Sequence, residues 1–311
     1  MLGQFVHPSC CAQLMAQIDR NHPWIEFDPD TFSHNYNKQP FIFHHRLTEH
    51  PQFSLNSLFA LCRRLPPRQV RCRSAVIPDD AEFDSSLDQY ESGLTVDETI
   101  AKLREDQAYI AIYNAEYDPE YKIAIEELLG EIAAQTEPLE PGLNWYSTYI
   151  FVSARGAVTP YHMDREMNFL FQIMGTKTVR LWNPLDEEVL TSAQRDVILA
   201  FPYRPRPPYD TKIEAKAAVF SLRPGLGVHH PFIAPHLVHT GPEISISLAI
   251  TFRTRQSDMW RDAHCMNQHL RRFGLQPRPI RYSAARDNVK AGAIRAARKL
   301  KFFFVRQNGD E

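Results

Sequence analysis

The stretch that decides the fold is Thr159-Pro160-Tyr161-His162-Met163-Asp164. It lies in a run that alternates like a β-strand, where side chains repeat every two residues, so His162 and Asp164 point to one face. An imidazole and a carboxylate on one face are two-thirds of the 2-His-1-carboxylate set that holds Fe(II) and leaves positions open. His-x-Asp alone is a weak signal, because a hydrogen-bonded pair at a strand end has the same pattern. The sequence downstream decides between the two.

Lys177 follows fifteen residues after His162, in Gly175-Thr176-Lys177-Thr178-Val179. The Gly-centred turn there separates two apolar strands, Phe169–Met174 and Thr178–Trp182. A further ligand candidate, His236, stands in Ala234-Pro235-His236-Leu237-Val238, ahead of the alternating run Ile244–Phe252. A strand with His-x-Asp, a hairpin with an inward Lys and a later strand with His form the layout of a cupin-type β-barrel. In the last strand, Ser245, Ser247, Ala249 and Thr251 share one face and Ile244, Ile246, Leu248 and Ile250 the other. A small, polar inward face suits a barrel that encloses a polar ligand; an ordinary half-exposed strand would read the same way.

On these residues, segment 148–252 resembles the JmjC-like, cupin-fold Fe(II)/2-oxoglutarate oxygenases. Within them it is particularly similar to the asparaginyl hydroxylase of hypoxia-inducible factor, and it is similar to bacterial cupin-like JmjC proteins. The matching positions are Thr159-Pro160-x-His162-x-Asp164, Asn168-Phe169, Gln172, Gly175, Lys177, Pro231 and His236. Weaker matches, Phe32-x3-Tyr36-x2-Gln39-Pro40-Phe41 and Tyr109, extend the likeness over roughly residues 30–255.

The resemblance implies that His162, Asp164 and His236 bind Fe(II) and are catalytic, with 2-oxoglutarate and O2 as cosubstrates. It implies that Lys177 takes the distal carboxylate of 2-oxoglutarate, that Thr159 and Tyr109 donate hydroxyls to it, and that Asn168 lies near the cosubstrate. His229, His230 and His239 are rivals to His236 by position. His236 is preferred because the family's ligand directly precedes an apolar strand residue; His229 and His230 read as packing or hydrogen-bonding groups. Two departures stand out: Gly225-Leu226-Gly227 replaces the usual Gly-Asp turn, and Ala249 replaces an inward Asn. Neither touches the three ligands.

The implied fold is mainly β with flanking α. A double-stranded β-helix (cupin or jelly-roll) core at 141–255 follows an N-terminal helical and strand platform at 1–140, and a basic helical appendage at 256–311 closes the chain. Capped or stopped helices are expected at Ser54–Leu65, Thr95–Glu105 and Asp118–Ala134, with a further short helix within Cys11–Asp19. Strands are expected at Gln39–His45, Val70–Val76 and Ala108–Tyr113. The acidic stretch 79–95 reads as a solvated loop, with a mobile lid or substrate rim as the lesser reading. At the C-terminal end, Ser257–Phe273 reads as a helix, and Val289, Ala293, Ala296, Leu300 and Phe303 mark one helical stripe. Residues 271–306 carry eleven Lys/Arg against one acid, Asp287. The stripe needs a partner surface, which predicts a homodimer.

Composition narrows the alternatives. A chain of 311 residues with 43% hydrophobic and 23% charged residues can bury a sizeable core. Its net charge of −2 gives no bias towards nucleic acid or an anionic membrane. Five cysteines without a Cys-x2-Cys speak against a disulfide framework and a zinc ribbon, and for a reducing compartment. No signal sequence or apolar run of membrane length is visible, so a cytoplasmic location is expected. The expected function is hydroxylation of an amino-acid side chain in a protein, peptide or small molecule. Demethylation ranks below it, since no chromatin-reading module accompanies the domain. The alternatives are a cupin metalloprotein of other activity and a non-catalytic regulator that binds nucleic acid or a partner through the basic C-terminus.

Overall fold

The computed structural model describes residues 3–6, 13–16, 22–74, 77–105, 108–201 and 206–307; the side chains of 87, 104 and 301–307 lie outside the description. The chain forms two compact units. One comprises Met1–Pro184 and Arg206–Thr254, the other Leu185–Pro205 and Arg255–Glu311.

In the first unit the described elements run β1 (Gln4–Phe5), β2 (Ile25–Glu26), α1 (Pro29–Asn35), β3 (Ile42–His45), α2 (Leu55–Arg64), β4 (Val70–Ser74), α3 (Phe83–Gln89), α4 (Val96–Lys102), β5 (Ala108–Tyr113) and α5 (Pro119–Thr136). The helices start where side chains can take up free backbone N–H groups. Asp28 caps α1, Ser54 caps α2, Thr95 and Glu98 form a capping box on α4, and Asp118 caps α5 ahead of Pro119. Tyr121, Ile125, Leu128 and Ile132 of α5 are all buried, as their spacing requires. The acidic stretch 79–95 is not a plain solvated loop: Glu82 caps α3 within it. Strand β4 ends at Ser74, and residues 75–76 of the expected strand lie outside the described residues, as do 11–12 and 17–19 of the expected first helix.

Eight strands follow: β6 (Leu143–Ser153), β7 (Val158–Met163), β8 (Met167–Met174), β9 (Lys177–Leu181), β10 (Ala218–Leu222), β11 (Leu226–His230), β12 (Pro235–Thr240) and β13 (Ser245–Thr254). They belong to two antiparallel sheets. The larger has the order β2-β3-β11-β8-β13-β6-β5-β4, with β1 also on β6; the smaller has the order β10-β9-β12-β7. From β6 to β13 the chain passes back and forth between the sheets. The β8–β9 turn depends on Gly175, whose φ is +66° and where a Cβ would lie 2.5 Å from the Ile244 carbonyl oxygen.

Strand β13 shows what the alternation means. Ser245, Ser247, Ala249 and Thr251 are buried, and so are Ile246, Leu248, Ile250 and Phe252. Neither face meets bulk water. One face enters apolar packing, and the other lines an internal cavity. An aromatic cluster on the larger sheet joins Phe32, Phe41 and Phe43 to Phe169. His229 sits inside it, with its ring centre 4.6 Å from that of Phe169.

The second unit holds α6 (Ser192–Ala200), α7 (Arg255–Arg272) and α8 (Ala284–Gln307). Buried Asp196 on α6 accepts from His264 Nδ1 at 2.6 Å and Arg271 Nε at 2.7 Å. Met259, Ala263, Ile280 and Ala291 form its small core. The expected stripe on α8 is not the packed one. Val289, Ala293, Ala296 and Leu300 are exposed, whereas Asp287, Ala291 and Ile294 face inward; the side chain of Phe303 lies outside the description. Hydropathy ranks Val and Leu above Ala, but close helix packing selects the small residue at the seam. Among the described residues no helix is long and apolar enough to cross a membrane.

Candidate metal and cosubstrate site

His162 on β7 and His236 on β12 are cross-strand partners in the smaller sheet, and a bulge follows His236. Asp164 stands just past the end of β7. Nε2 of His162 lies 3.8 Å from Asp164 Oδ1, and Nε2 of His236 lies 3.8 Å from Asp164 Oδ2. The donor atoms of the three residues all lie within 4.8 Å of one another. The ring orientation is set from behind. His162 Nδ1 is 2.8 Å from the Pro160 carbonyl and His236 Nδ1 is 3.0 Å from the Ala234 carbonyl. A carbonyl can only accept, so each Nδ1 carries the proton and each Nε2 presents its lone pair inward. Burial pushes both imidazoles below their ordinary pKa; for His162 the neighbouring His236 adds to it, while for His236 the charge of Asp164 opposes it. Two neutral imidazoles and a carboxylate, with no thiolate, form a donor set suited to Fe(II). His239 is excluded from this set. Its Nε2 bonds Asp79 at 2.8 Å and its Nδ1 lies 3.1 Å from Arg180.

The three residues open into a cavity of about 200 Å³. That is far more than the roughly 10–15 Å³ needed to hold one water, so it is a ligand-sized space. Lys177, Thr159, Tyr109 and Asn168 all line it. Lys177 is the first residue of β9 and is buried; its Nζ reaches Ser247 Oγ at 2.6 Å on β13. Burial alone lowers its pKa to about 7. Tyr109, on β5, is buried and hydrogen-bonded to Thr159, and burial pushes its hydroxyl pKa up. Asn168 pairs with His230 on one neighbouring strand and Thr251 on the other, which makes a polar row across β11, β8 and β13. Its Oδ1 is buried without a hydrogen-bond partner. Ala249 lines the cavity, and no amide takes the place of its methyl group.

Several wall residues were not singled out in the sequence. Phe83 of α3 stacks on His162, with ring centres 3.7 Å apart and planes within 4°. Arg206, Arg73, Tyr149 and Phe151 also line the cavity. A substrate rim is the lesser reading of the acidic stretch 79–95, and nothing in the Pro-rich stretch around 206 announces a cavity wall, because it looks like surface. His229 and His230 separate. His229 turns into the aromatic cluster, donates from Nδ1 to Asn168 O (3.1 Å) and accepts at Nε2 from Asn37 N (3.2 Å). His230 turns into the cavity, 4.6 Å from the His236 ring, and neither ring nitrogen has a partner. Strand alternation is the signal that separates them.

No family model matches the chain, and no curated protein matches it. Solved structures of the Escherichia coli ribosomal oxygenase YcfD are similar at a distance. One is 14% identical, with a TM-score of 0.45, over 88% of this chain and 67% of that one. Another is 13% identical, with a TM-score of 0.48, over 91% and 68%. A third, 14% identical with a TM-score of 0.45 over 88% and 67%, is of YcfD in complex with cobalt and 2-oxoglutarate. At this distance the likeness carries no residue roles, so the reading of the site rests on its own side chains.

Proposed function

We propose that the chain is an Fe(II)- and 2-oxoglutarate-dependent oxygenase that hydroxylates an amino-acid side chain, carried by a protein, a peptide or a small molecule. The observation that carries this reading is the convergence of His162, Asp164 and His236 on one point, with buried Lys177 in the same cavity. The to-and-fro course of β6–β13 between two sheets supports a double-stranded β-helix core.

In this reading His162, Asp164 and His236 hold the metal, and the carbonyls of Pro160 and Ala234 keep the imidazoles in the ligating tautomer. When bound, iron with 2-oxoglutarate and O2 supplies the oxidising power for an unactivated C–H bond. The chain supplies position and dryness. Lys177 fixes one end of a dicarboxylate at a distance from the metal, with Ser247, Thr159 and Tyr109 offering hydroxyls. Asn168 has a free acceptor for a group beside the metal. The placement of Lys177, Thr159 and Asn168 in one cavity with the triad argues against a cupin of isomerase type.

The test is succinate formation from 2-oxoglutarate by the Fe(II)-loaded protein, with mass spectrometry of candidate substrates for one added oxygen. No succinate with or without candidates would reject the reading.

For the second unit we propose self-association through the outer face of α8. Val289 is 74% exposed and Leu300 60%. Light scattering of the full chain and of a Val289→Glu variant tests this; a full-length monomer rejects it.

A further inference from the structure

Resting on the oxygenase reading, a second feature of the cavity narrows the substrate. Arg206 is 8% exposed and lines the cavity. Its guanidinium lies 4.9 Å over the ring of Phe83, the residue stacked on His162. Its one ion pair among the described residues is with half-exposed Asp84, Nη1 to Oδ1 at 3.4 Å. That contact lacks hydrogen-bond geometry, and both Nε and Nη1 are buried with no hydrogen-bond partner. A guanidinium has only donors, so the N–H groups of two of its nitrogens make no hydrogen bond. A charge so held is costly unless a ligand completes it.

Arg206 and Lys177 serve different parts of the cavity. Arg206 lies over Phe83, which stacks on His162, whereas Lys177 Nζ bonds Ser247 Oγ on β13. A single dicarboxylate anchored on Lys177 leaves Arg206 with only its long ion pair to half-exposed Asp84. Phe83, beneath the guanidinium, offers an apolar ring. A neutral amide side chain on a polypeptide would add no charge to that single, half-exposed ion pair.

We propose that Arg206 anchors a carboxylate of the molecule to be oxidised, so that the prime substrate is a small organic acid with an apolar body. The carboxylate takes the free donors at the metal end, and the apolar body packs against Phe83 within reach of the metal.

The test is calorimetric titration of the full chain, loaded with Mn(II) and 2-oxoglutarate without oxygen. The probes are N-acetylated apolar amino acids, each paired with its primary amide, and an alkyl phosphate of similar size. At least one acid should bind about tenfold or more tighter than its amide, the usual scale of a charge-assisted bond. Arg206→Gln should erase that preference, and Arg206→Lys should keep part of it; thermal melts confirm that both variants fold. The proposal is overturned if no acid outbinds its amide, if Arg206→Gln keeps the preference, or if the phosphate outbinds every acid. It is also overturned if Arg206→Gln weakens 2-oxoglutarate instead, which would make Arg206 a cosubstrate residue. Failure of the oxygenase reading shows separately, as absent succinate formation by the iron-loaded wild type.

Discussion

His162 and His236 face each other across the β7–β12 ladder, and each presents Nε2 to a different oxygen of Asp164 at 3.8 Å. Two strands and one strand end therefore build the proposed metal site, and the backbone carbonyls of Pro160 and Ala234 fix its imidazoles. Removing one imidazole leaves two donors. His236→Ala should abolish Mn(II) binding by calorimetry and iron-dependent succinate formation. His239→Ala should bind metal as the wild type does, because His239 is turned away to Asp79 and Arg180. The reverse pattern would reject the ligand assignment.

Lys177 should control 2-oxoglutarate affinity. Its ammonium is buried, and its partner on the chain is the neutral hydroxyl of Ser247. A charge-assisted bond there contributes roughly 1.5–3 kcal/mol. Leaving the carboxylate unpaired in a dry cavity costs roughly 3–5 kcal/mol. Lys177→Ala should raise the dissociation constant by on the order of a hundredfold or more, with metal binding kept. Lys177→Arg should restore little, since a wide planar fork does not fit where a compact ammonium sits. Anaerobic titration of 2-oxoglutarate, followed by the metal-to-ligand absorption band, measures both. Equal affinity in wild type and Lys177→Ala would sink the assignment.

The same lysine gives binding a pH signature. Its free-state pKa is lowered to about 7, and a bound carboxylate favours the charged form and raises it. Above pH 7 the empty site is neutral and must take up a proton to bind. Affinity for 2-oxoglutarate should then fall as pH rises from about 7 to 9, by up to about tenfold per unit, and stay level below 6. Titration in buffers of different ionisation enthalpy should show proton uptake near one at pH 8.5 in wild type and none in Lys177→Ala. For folding the sign is opposite in origin. The unfolded chain binds more protons between pH 7 and the ordinary lysine pKa, so this residue lets stability rise with pH across that window.

The metal end of the site was legible because its residues sit on strands. His-x-Asp, Gly175 with Lys177, and His236 keep fixed spacing, and period-two alternation carries each side chain to a known face. The row Ser245, Ser247, Ala249 and Thr251 was legible for the same reason. Phe83 and Arg206 were not. They come from a short capped helix and a Pro-rich stretch, where no period links sequence to direction, and tertiary packing alone turns them inward. The inner face of α8 was misjudged because hydropathy favours Val289 and Leu300, while close packing against Met259 and Ala263 takes Ala291.

His229 and His230 are neighbours in sequence with opposite tasks, and substitution should separate them. His229 is fully buried among Phe41, Phe169 and Tyr36, and both its nitrogens are engaged, with Asn168 O and Asn37 N. His229→Ala removes a packed ring and strands two backbone groups, so it should destabilise the fold by roughly 3–5 kcal/mol. Burial also lowers the pKa of His229 to about 3, so below its ordinary value the unfolded chain takes the proton and the folded one does not. Stability should fall as pH drops from about 6.5 towards 4, by up to about 1.4 kcal/mol per unit from this residue. His229→Phe should flatten that part of the profile, even though it too loses the two hydrogen bonds. His230 has no partner for either nitrogen, so His230→Ala removes no hydrogen bond. It should cost less than His229→Ala in urea denaturation, while changing the cavity beside His236. A larger loss for His230→Ala than for His229→Ala would mean that the two faces of β11 have been assigned the wrong way round.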